Sequence, residues 1–238
     1  MSLSEAFSRS ARRYDLLTRL NPGYRRELRR AAKALAHGLT NKESPVIWDL
    51  GCGTGLSTQA LLDTVPDAHV IGVDASDGML NFAREKSWPN GTEFILESVE
   101  NLASNDAFDN APDGVFAAYL LRNVPEAERT AVLTSIRELM KPGTPLVLHD
   151  YSVSESRWAQ AKWTIVCFAI IIPLATLAGA KTSLFTYLWK SVLDNEATAT
   201  VLQRLVQAGF HHASVTTAKG WHREVLHTYT AVNQEGLA

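Results

Sequence analysis

At 238 residues, 46 % apolar and 20 % charged, the chain has the length and composition of one globular α/β domain with a large core, which excludes a disordered or fibrous protein. Two cysteines, Cys52 and Cys167, make no disulfide framework and have no metal-ligand company in sequence, so neither a disulfide-stapled fold nor a metal centre is expected. The net charge of −2 hides an asymmetry: residues 1–38 carry nine Lys and Arg against Glu5, Asp15 and Glu27, a net +6, and the remainder carries −8.

Ser2 to Leu20 and Tyr24 to Leu39 read as two helices, broken at Asn21-Pro22-Gly23 by turn chemistry. Arg12, Arg13 and Arg19 dominate the first; Arg25, Arg26, Arg29, Arg30 and Lys33 dominate the second, which also has an apolar stripe of Leu28, Ala32, Leu35 and Leu39. Residues 1–40 are therefore expected to form a basic helical lid on a domain spanning 41–238. A basic end on an acidic body points to an anionic partner, membrane or nucleic acid, or else to a solvated helical face. Met1 to Leu20 is polar and arginine-rich, with no signal pattern, so a cytoplasmic setting is expected, peripheral to the inner face of a membrane if lipid is the partner.

Val46-Ile47-Trp48-Asp49-Leu50 reads as a buried strand, Gly51-Cys52-Gly53-Thr54-Gly55 as a turn, and Leu56 to Thr64 as a helix. Strand, glycine turn and helix open a doubly wound sheet, whose ligands bind beyond the carboxyl ends of the strands. The glycine register is D-x-G-x-G-x-G, with Leu56 where a dinucleotide site needs its third glycine. Asp49 is a poor neighbour for phosphates and suits a cationic ligand. A second strand, Val70 to Val73, ends in Asp74, placed to take ribose hydroxyls. In these residues the sequence resembles a class I methyltransferase that uses S-adenosylmethionine. The resemblance implies a seven-stranded, mostly parallel Rossmann-like sheet. It also implies that Asp49 and the Gly51–Gly55 loop hold the methionine end and Asp74 and Ala75 the ribose side, with Met79 alongside.

Ser76 reads as an N-cap with Met79, Leu80 and Ala83 facing inward. Thr92 to Leu96 is a third strand, followed by Glu97-Ser98-Val99-Glu100. The resemblance puts Ser98 and Val99 against the adenine, although the Ser98 position is usually acidic or an amide. Gly114 to Ala118 is the fourth strand, ending in Tyr119-Leu120-Leu121-Arg122-Asn123-Val124, with Tyr119 at the cofactor. Pro125-Glu126 should open a helix through Met140, and Leu146 to Asp150 is the fifth strand.

Trp163 to Ala180 is eighteen residues without a charge, close to the ~20 that span a bilayer. Pro173 and Gly179 should interrupt it. Within a helical insertion over 153–195 it reads as a helix buried beneath a lobe, a surface facing lipid or a lipid-like substrate, or a span. Lys181 to Leu193 and Glu196 to Ala208 are helices, and Ala213 to Thr217 and Val225 to Val232 antiparallel strands.

The second half carries a narrower resemblance, to the ubiquinone/menaquinone C-methyltransferase family (UbiE/MenG type). It rests on Leu121-Arg122-Asn123-Val124, Arg137 to Gly143, Leu148 to Ser152, Tyr187 to Val192, Gln207 to Phe210 and Val225-Leu226-His227, with Phe7, Tyr14-Asp15 and Asn21 near the start. That family methylates a ring carbon beside a phenolic oxygen, which asks for a positioned general base. Candidates are His149, Asp150 and His227, with Tyr14, Arg122 and Asn123 orienting substrate or water. A lipophilic acceptor follows, its tail leaving past Ile165, Phe168, Ile172 and Leu177; a homodimer is left open. An O- or N-methyltransferase of a soluble small molecule and a non-catalytic cofactor-binding membrane protein remain as rivals. Nucleic acid is not expected as substrate, because no Asn/Asp-Pro-Pro-aromatic motif for flipped bases is present.

Overall fold

The computed structural model describes residues 23–39, 42–177 and 182–234. The helix expected over 2–20, with Phe7, Tyr14, Asp15 and Asn21, lies outside the described residues, as does Gly179. Seven strands, β1 Val46–Leu50, β2 His69–Asp74, β3 Thr92–Leu96, β4 Gly114–Ala118, β5 Pro145–Tyr151, β6 Phe210–Thr217 and β7 Leu226–Asn233, form one sheet. Its order is β3-β2-β1-β4-β5-β7-β6. The first five run parallel, and β7 is antiparallel to both β5 and β6. β4 and β5 are buried along their whole length, which is why they read as unbroken apolar runs: helices cover both sheet faces. The strand order turns back between β1 and β4, and the crevice beyond their carboxyl ends is where this class of sheet binds ligands.

On one face lie α1 (Tyr24–Gly38) and α2 (Leu56–Leu62); on the other lie α4 (Arg129–Glu138) and α7 (Thr198–Gln207). Between them in sequence come α3 (Asp77–Arg84), beside β2 and β3, and the insertion helices α5 (Arg157–Leu177) and α6 (Thr182–Leu193). In α1, Tyr24, Leu28, Ala31, Ala32 and Leu35 are buried against α2, β4 and β5. Burying Leu28 and Leu35 stabilises by ~1.5–3 kcal/mol each. The apolar stripe therefore faces the sheet, and α1 presents its basic face outward. There Glu27, itself buried, draws in Arg26 (3.0 Å) and Arg30 (3.7 Å), while Arg29 meets Asp63 at 2.8 Å.

Three expectations are corrected. The helix placed from Pro125 begins at Arg129, because residues 125–128 form a turn closed by the Glu128 amide on the Pro125 carbonyl (2.9 Å). β6 begins at Phe210 and not Ala213; a register shift between His211 and Ser214, with His212 at φ +54°, broke the alternation that would have revealed it. Pro173 does not interrupt its helix. It lacks the amide that would reach Ala169, and a π turn over Cys167–Ile171, with the Ile172 amide on the Cys167 carbonyl, absorbs the defect.

Candidate active site

The glycine loop is tied to the end of β2. The Gly51 and Cys52 amides both donate to the Val73 carbonyl (2.8 and 3.0 Å), and the Gly53 amide donates to Asp74 Oδ2 (2.8 Å). Gly53 needs its φ of +55° to turn that amide over, and Gly55, at φ +82°, has no room for a side chain, since a Cβ there would lie 2.7 Å from the Trp88 ring. The other Asp74 oxygen accepts from the Ser76 amide (2.8 Å), and Ser76 caps α3 by accepting from the Met79 amide. Burial raises the Asp74 pKa against the pull of these two amides.

Asp49 lies beneath the loop and not in its wall. Its Oδ2 accepts from Ser57 Oγ (2.8 Å) and Thr58 Oγ1 (2.6 Å), pinning the first turn of α2. Its Oδ1 is buried with no partner among the described residues. Burial, outweighing the two hydroxyls, lifts its pKa to about 7. An unsatisfied buried carboxylate oxygen under a loop of left-handed glycines fits a ligand that brings a cation to that loop.

Above it opens a cavity of about 290 Å³. Gly51, Cys52, Gly53 and Thr54 form one wall; Asp74, Ala75 and Met79 form the next; Val99 and Tyr119 follow, and Arg122 and Asn123 close the far end. These are the residues expected there, with three exceptions. Asp49 is below, Gly55 is turned to Trp88, and Ser98 is displaced by its neighbours Glu97 and Glu100. Ser98 instead holds the two acids, its amide donating to Glu97 Oε1 (2.9 Å) and its hydroxyl to Glu100 Oε2. Neither acid was singled out from the sequence; the signal was the missing acid at Ser98 with carboxylates one residue before and two after. Tyr24 and Leu28 of α1 also reach the cavity, as does Leu120.

Beyond β4 the chain turns sharply at Tyr119, at φ +59°, whose amide donates to the His149 carbonyl (2.7 Å). The Tyr119 ring is stacked between Tyr24 (5.3 Å) and Tyr151 (5.1 Å), and Tyr151 continues the stack to Trp163 (5.2 Å). The Arg122 guanidinium lies 5.5 Å from the Tyr119 centroid and 5.9 Å from that of Tyr151, and pairs with Asp150 behind it. Asn123 is held at both ends of its amide: Nδ2 donates to the Tyr119 carbonyl (2.8 Å), and Oδ1 accepts from the hydroxyl of Tyr187 on α6 (3.2 Å).

The expected bases are not on the cavity wall. His149 is 1 % exposed, with Nδ1 at 2.9 Å from Thr228 Oγ1, and burial drives its pKa down to about 3. His227 opens onto a separate recess with Glu155 and Glu224, where Nε2 meets the Ser152 carbonyl at 3.1 Å; burial lowers its pKa too. Asp150 is buried behind Arg122. Tyr14 lies outside the described residues. The residues expected to guide a tail also fall elsewhere: Ile165, Phe168 and Leu177 are exposed on α5, and only Ile172 is half-buried, against Phe185.

A family model for a methyltransferase domain matches residues 47–143, from β1 to the turn after α4. A demethylmenaquinone methyltransferase of Symbiobacterium thermophilum is 32 % identical over 87 % of this chain and 83 % of its own. A ubiquinone/menaquinone biosynthesis C-methyltransferase of Methylobacterium nodulans is 29 % identical over 89 % and 84 %. Among solved structures, a magnesium protoporphyrin IX methyltransferase from Synechocystis PCC 6803 with bound SAH has the same fold, with a TM-score of 0.62 at 18 % identity over 89 % and 84 % of the two chains. With this likeness along nearly its whole length, the chain belongs, as a divergent member, to the ubiquinone/menaquinone C-methyltransferase family of S-adenosylmethionine-dependent methyltransferases.

Proposed function

We propose that the enzyme methylates a ring carbon of a lipophilic aromatic or quinol-like acceptor that it meets at a membrane surface. One juxtaposition carries the reading: the glycine loop and the Arg122–Asn123 turn are walls of a single cavity, in a chain whose relatives are named for demethylmenaquinone and ubiquinone/menaquinone methylation. S-adenosylmethionine supplies an electrophilic methyl group. Asp49 Oδ1 and the glycine loop suit its cationic end, Asp74 its ribose hydroxyls, and Glu97, Val99 and Glu100 its base.

A phenol carbon becomes a good nucleophile when its hydroxyl loses a proton, here to water in the open cavity. The ring carbon's own proton leaves to water once the methyl group is in place. Arg122, cationic and fixed by Asp150, stabilises that oxygen as it becomes negative. Tyr24 and Tyr119, already stacked on one another, bring aromatic edges to the cavity wall, against which an aromatic acceptor can pack edge-on. Asn123, with both amide ends engaged, is a positioning residue that fixes the strained Tyr119 turn. His149, kept neutral by burial and sealed from the cavity, takes no proton in this scheme. Transfer of a labelled methyl group to a tailed demethylated quinol, followed by fragmentation of the product, tests the proposal. Label on the ring carbon is expected; label on oxygen or nitrogen would replace it with the soluble small-molecule reading.

A further inference from the structure

We propose that the exposed apolar face of α5 inserts into one leaflet of an anionic lipid surface, and that Tyr187 of α6 transmits this docking to the cavity. The inference rests on the lipid-borne acceptor proposed above for its purpose, and on the geometry of α5 for its existence.

Along α5 a single stripe is covered. Trp163, Cys167 and Ala175 are buried and Ile171 half-buried, at a spacing of four, where the helix meets α6. Trp163 Nε1 donates to the Trp189 carbonyl (3.2 Å), and Trp189 Nε1 donates to Thr164 Oγ1 (3.1 Å). The rest of the helix surface beyond Thr164 faces outward and is apolar: Ile165, Phe168, Ile170, Leu174 and Leu177 are 40 to 84 % exposed. A helix apolar all round belongs in a core or in lipid, and only 17 % of this one's most apolar stretch is buried.

Among the described residues of α5 and α6 the charged side chains lie at the root of the hairpin; Lys181, between the two helices, lies outside the described residues. Lys162 Nζ donates to the Arg223 carbonyl (2.6 Å), and the Arg223 side chain is 74 % exposed, with Glu224 beside it at 4.0 Å. His222, next to Arg223, packs on Gly23, which brings exposed Arg26 of α1 to the same rim. From Ile165 to Leu177 the helix rises roughly 18 Å, close to one leaflet of a hydrocarbon core about 30 Å thick. Cations at the root and an apolar end of that length match headgroups above a single leaflet, which favours lipid over a second copy of the chain as the occupant.

The same hairpin is hydrogen-bonded to the cavity wall from behind. Two residues before Trp189, which holds α6 to α5, Tyr187 donates to Asn123 in the cavity wall. A shift of α6 on docking therefore changes the hydrogen bond that closes the acceptor end.

The full chain is sedimented with vesicles of phosphatidylcholine alone and with one-third phosphatidylglycerol. We expect it to pellet with the anionic vesicles. The variant Ile170→Glu/Leu174→Glu, changed only at exposed positions, should lose at least 10-fold in vesicle affinity with an unshifted melting temperature. Arg223→Glu should lose the preference for phosphatidylglycerol. With a tail-free, water-soluble acceptor the double variant should turn over at the wild-type rate, and vesicles should accelerate the wild type several-fold but not Tyr187→Phe. Wild type left in the supernatant, equal pelleting of the double variant, or a dimer that the double variant dissolves without any vesicle binding would overturn the lipid surface. Equal acceleration of Tyr187→Phe would overturn the coupling. Vesicle binding with no turnover of either acceptor would sink the functional reading and leave the docking standing.

Discussion

Arg122 Nη1 lies 2.5 Å from Asp150 Oδ1, and the Arg122 backbone amide donates to the other carboxylate oxygen at 3.2 Å, so one acid fixes both the head and the root of the same arginine. Both side chains are under a tenth exposed. Removing either leaves a buried charge without its counter-ion, which costs about 3–5 kcal/mol. Asp150→Ala and Arg122→Ala should each lower the midpoint of denaturant unfolding, and the double variant should cost much less than their sum. Turnover should fall with both. Strictly additive losses in that double-mutant cycle would mean the pair is not coupled.

Asp74 acts on the loop as well as on the cofactor. Asp74→Ala removes the acceptor for the Gly53 and Ser76 amides together with the carboxylate facing the cavity. Charge-assisted bonds of this kind contribute about 1.5–3 kcal/mol each. Titration calorimetry should show S-adenosylmethionine affinity reduced by at least 10-fold, with Asp74→Asn less impaired than Asp74→Ala. Unchanged affinity in both would remove Asp74 from the site.

A different acid sets the pH dependence of cofactor binding. With its pKa lifted to about 7, Asp49 is protonated in much of the free protein below that pH, whereas a cationic ligand favours its charged form. Binding should therefore tighten as pH rises from 5.5 to 7.5, with a proton released to buffer. The folded pKa is raised, so Asp49 contributes least to destabilising the free protein at low pH, and that protection is lost as pH rises from about 4 to 7. Asp49→Asn should bind more weakly and flatten the pH dependence. Calorimetry in two buffers of different ionisation enthalpy measures the proton directly, and no buffer dependence would exclude the role.

The legible parts of the molecule were those where one short segment decides the outcome. β1, the glycine turn and Asp74 announce themselves because a buried parallel strand must be apolar throughout and the turn must be glycine. Arg122 and Asn123 were legible through the family resemblance. What the sequence could not reveal depended on which face a residue takes. His149 and Asp150 are neighbours on β5, so their side chains point to opposite faces: Asp150 backs Arg122, while His149 is sealed under the tyrosine stack. His227 pairs with Asp150 in register on β7 and yet opens onto another recess. Tyr187 reaches the site from an insertion sixty-four residues away, a contact set by packing of α6 that no local pattern encodes.

The buried histidines should make the enzyme acid-labile while leaving its chemistry untouched. Burial lowers His149 to about 3 and His222 to about 4, with His222 and His227 also opposing charge on His149, and Arg26 and Lys162 opposing it on His222. A histidine whose folded pKa is depressed binds fewer protons folded than unfolded. Its contribution is complete above about pH 6.5 and is lost as pH falls toward the folded value, on the order of 1.4 kcal/mol per pH unit for each group. The urea midpoint should therefore drop steeply between pH 6.5 and 4. Asp49 opposes this with a single group over part of the same window. Both His222 ring nitrogens are buried and without partners among the described residues, so His222→Phe breaks no hydrogen bond. That variant should match the wild type at pH 7.5 and lose distinctly less stability at pH 5. His149→Gln should leave the pH profile of methyl transfer where it was, because the ring never reaches the cavity. An acid limb of turnover that moves with His149→Gln would restore that histidine as the base, and a midpoint at pH 5 indifferent to His222→Phe would refute the account of acid lability.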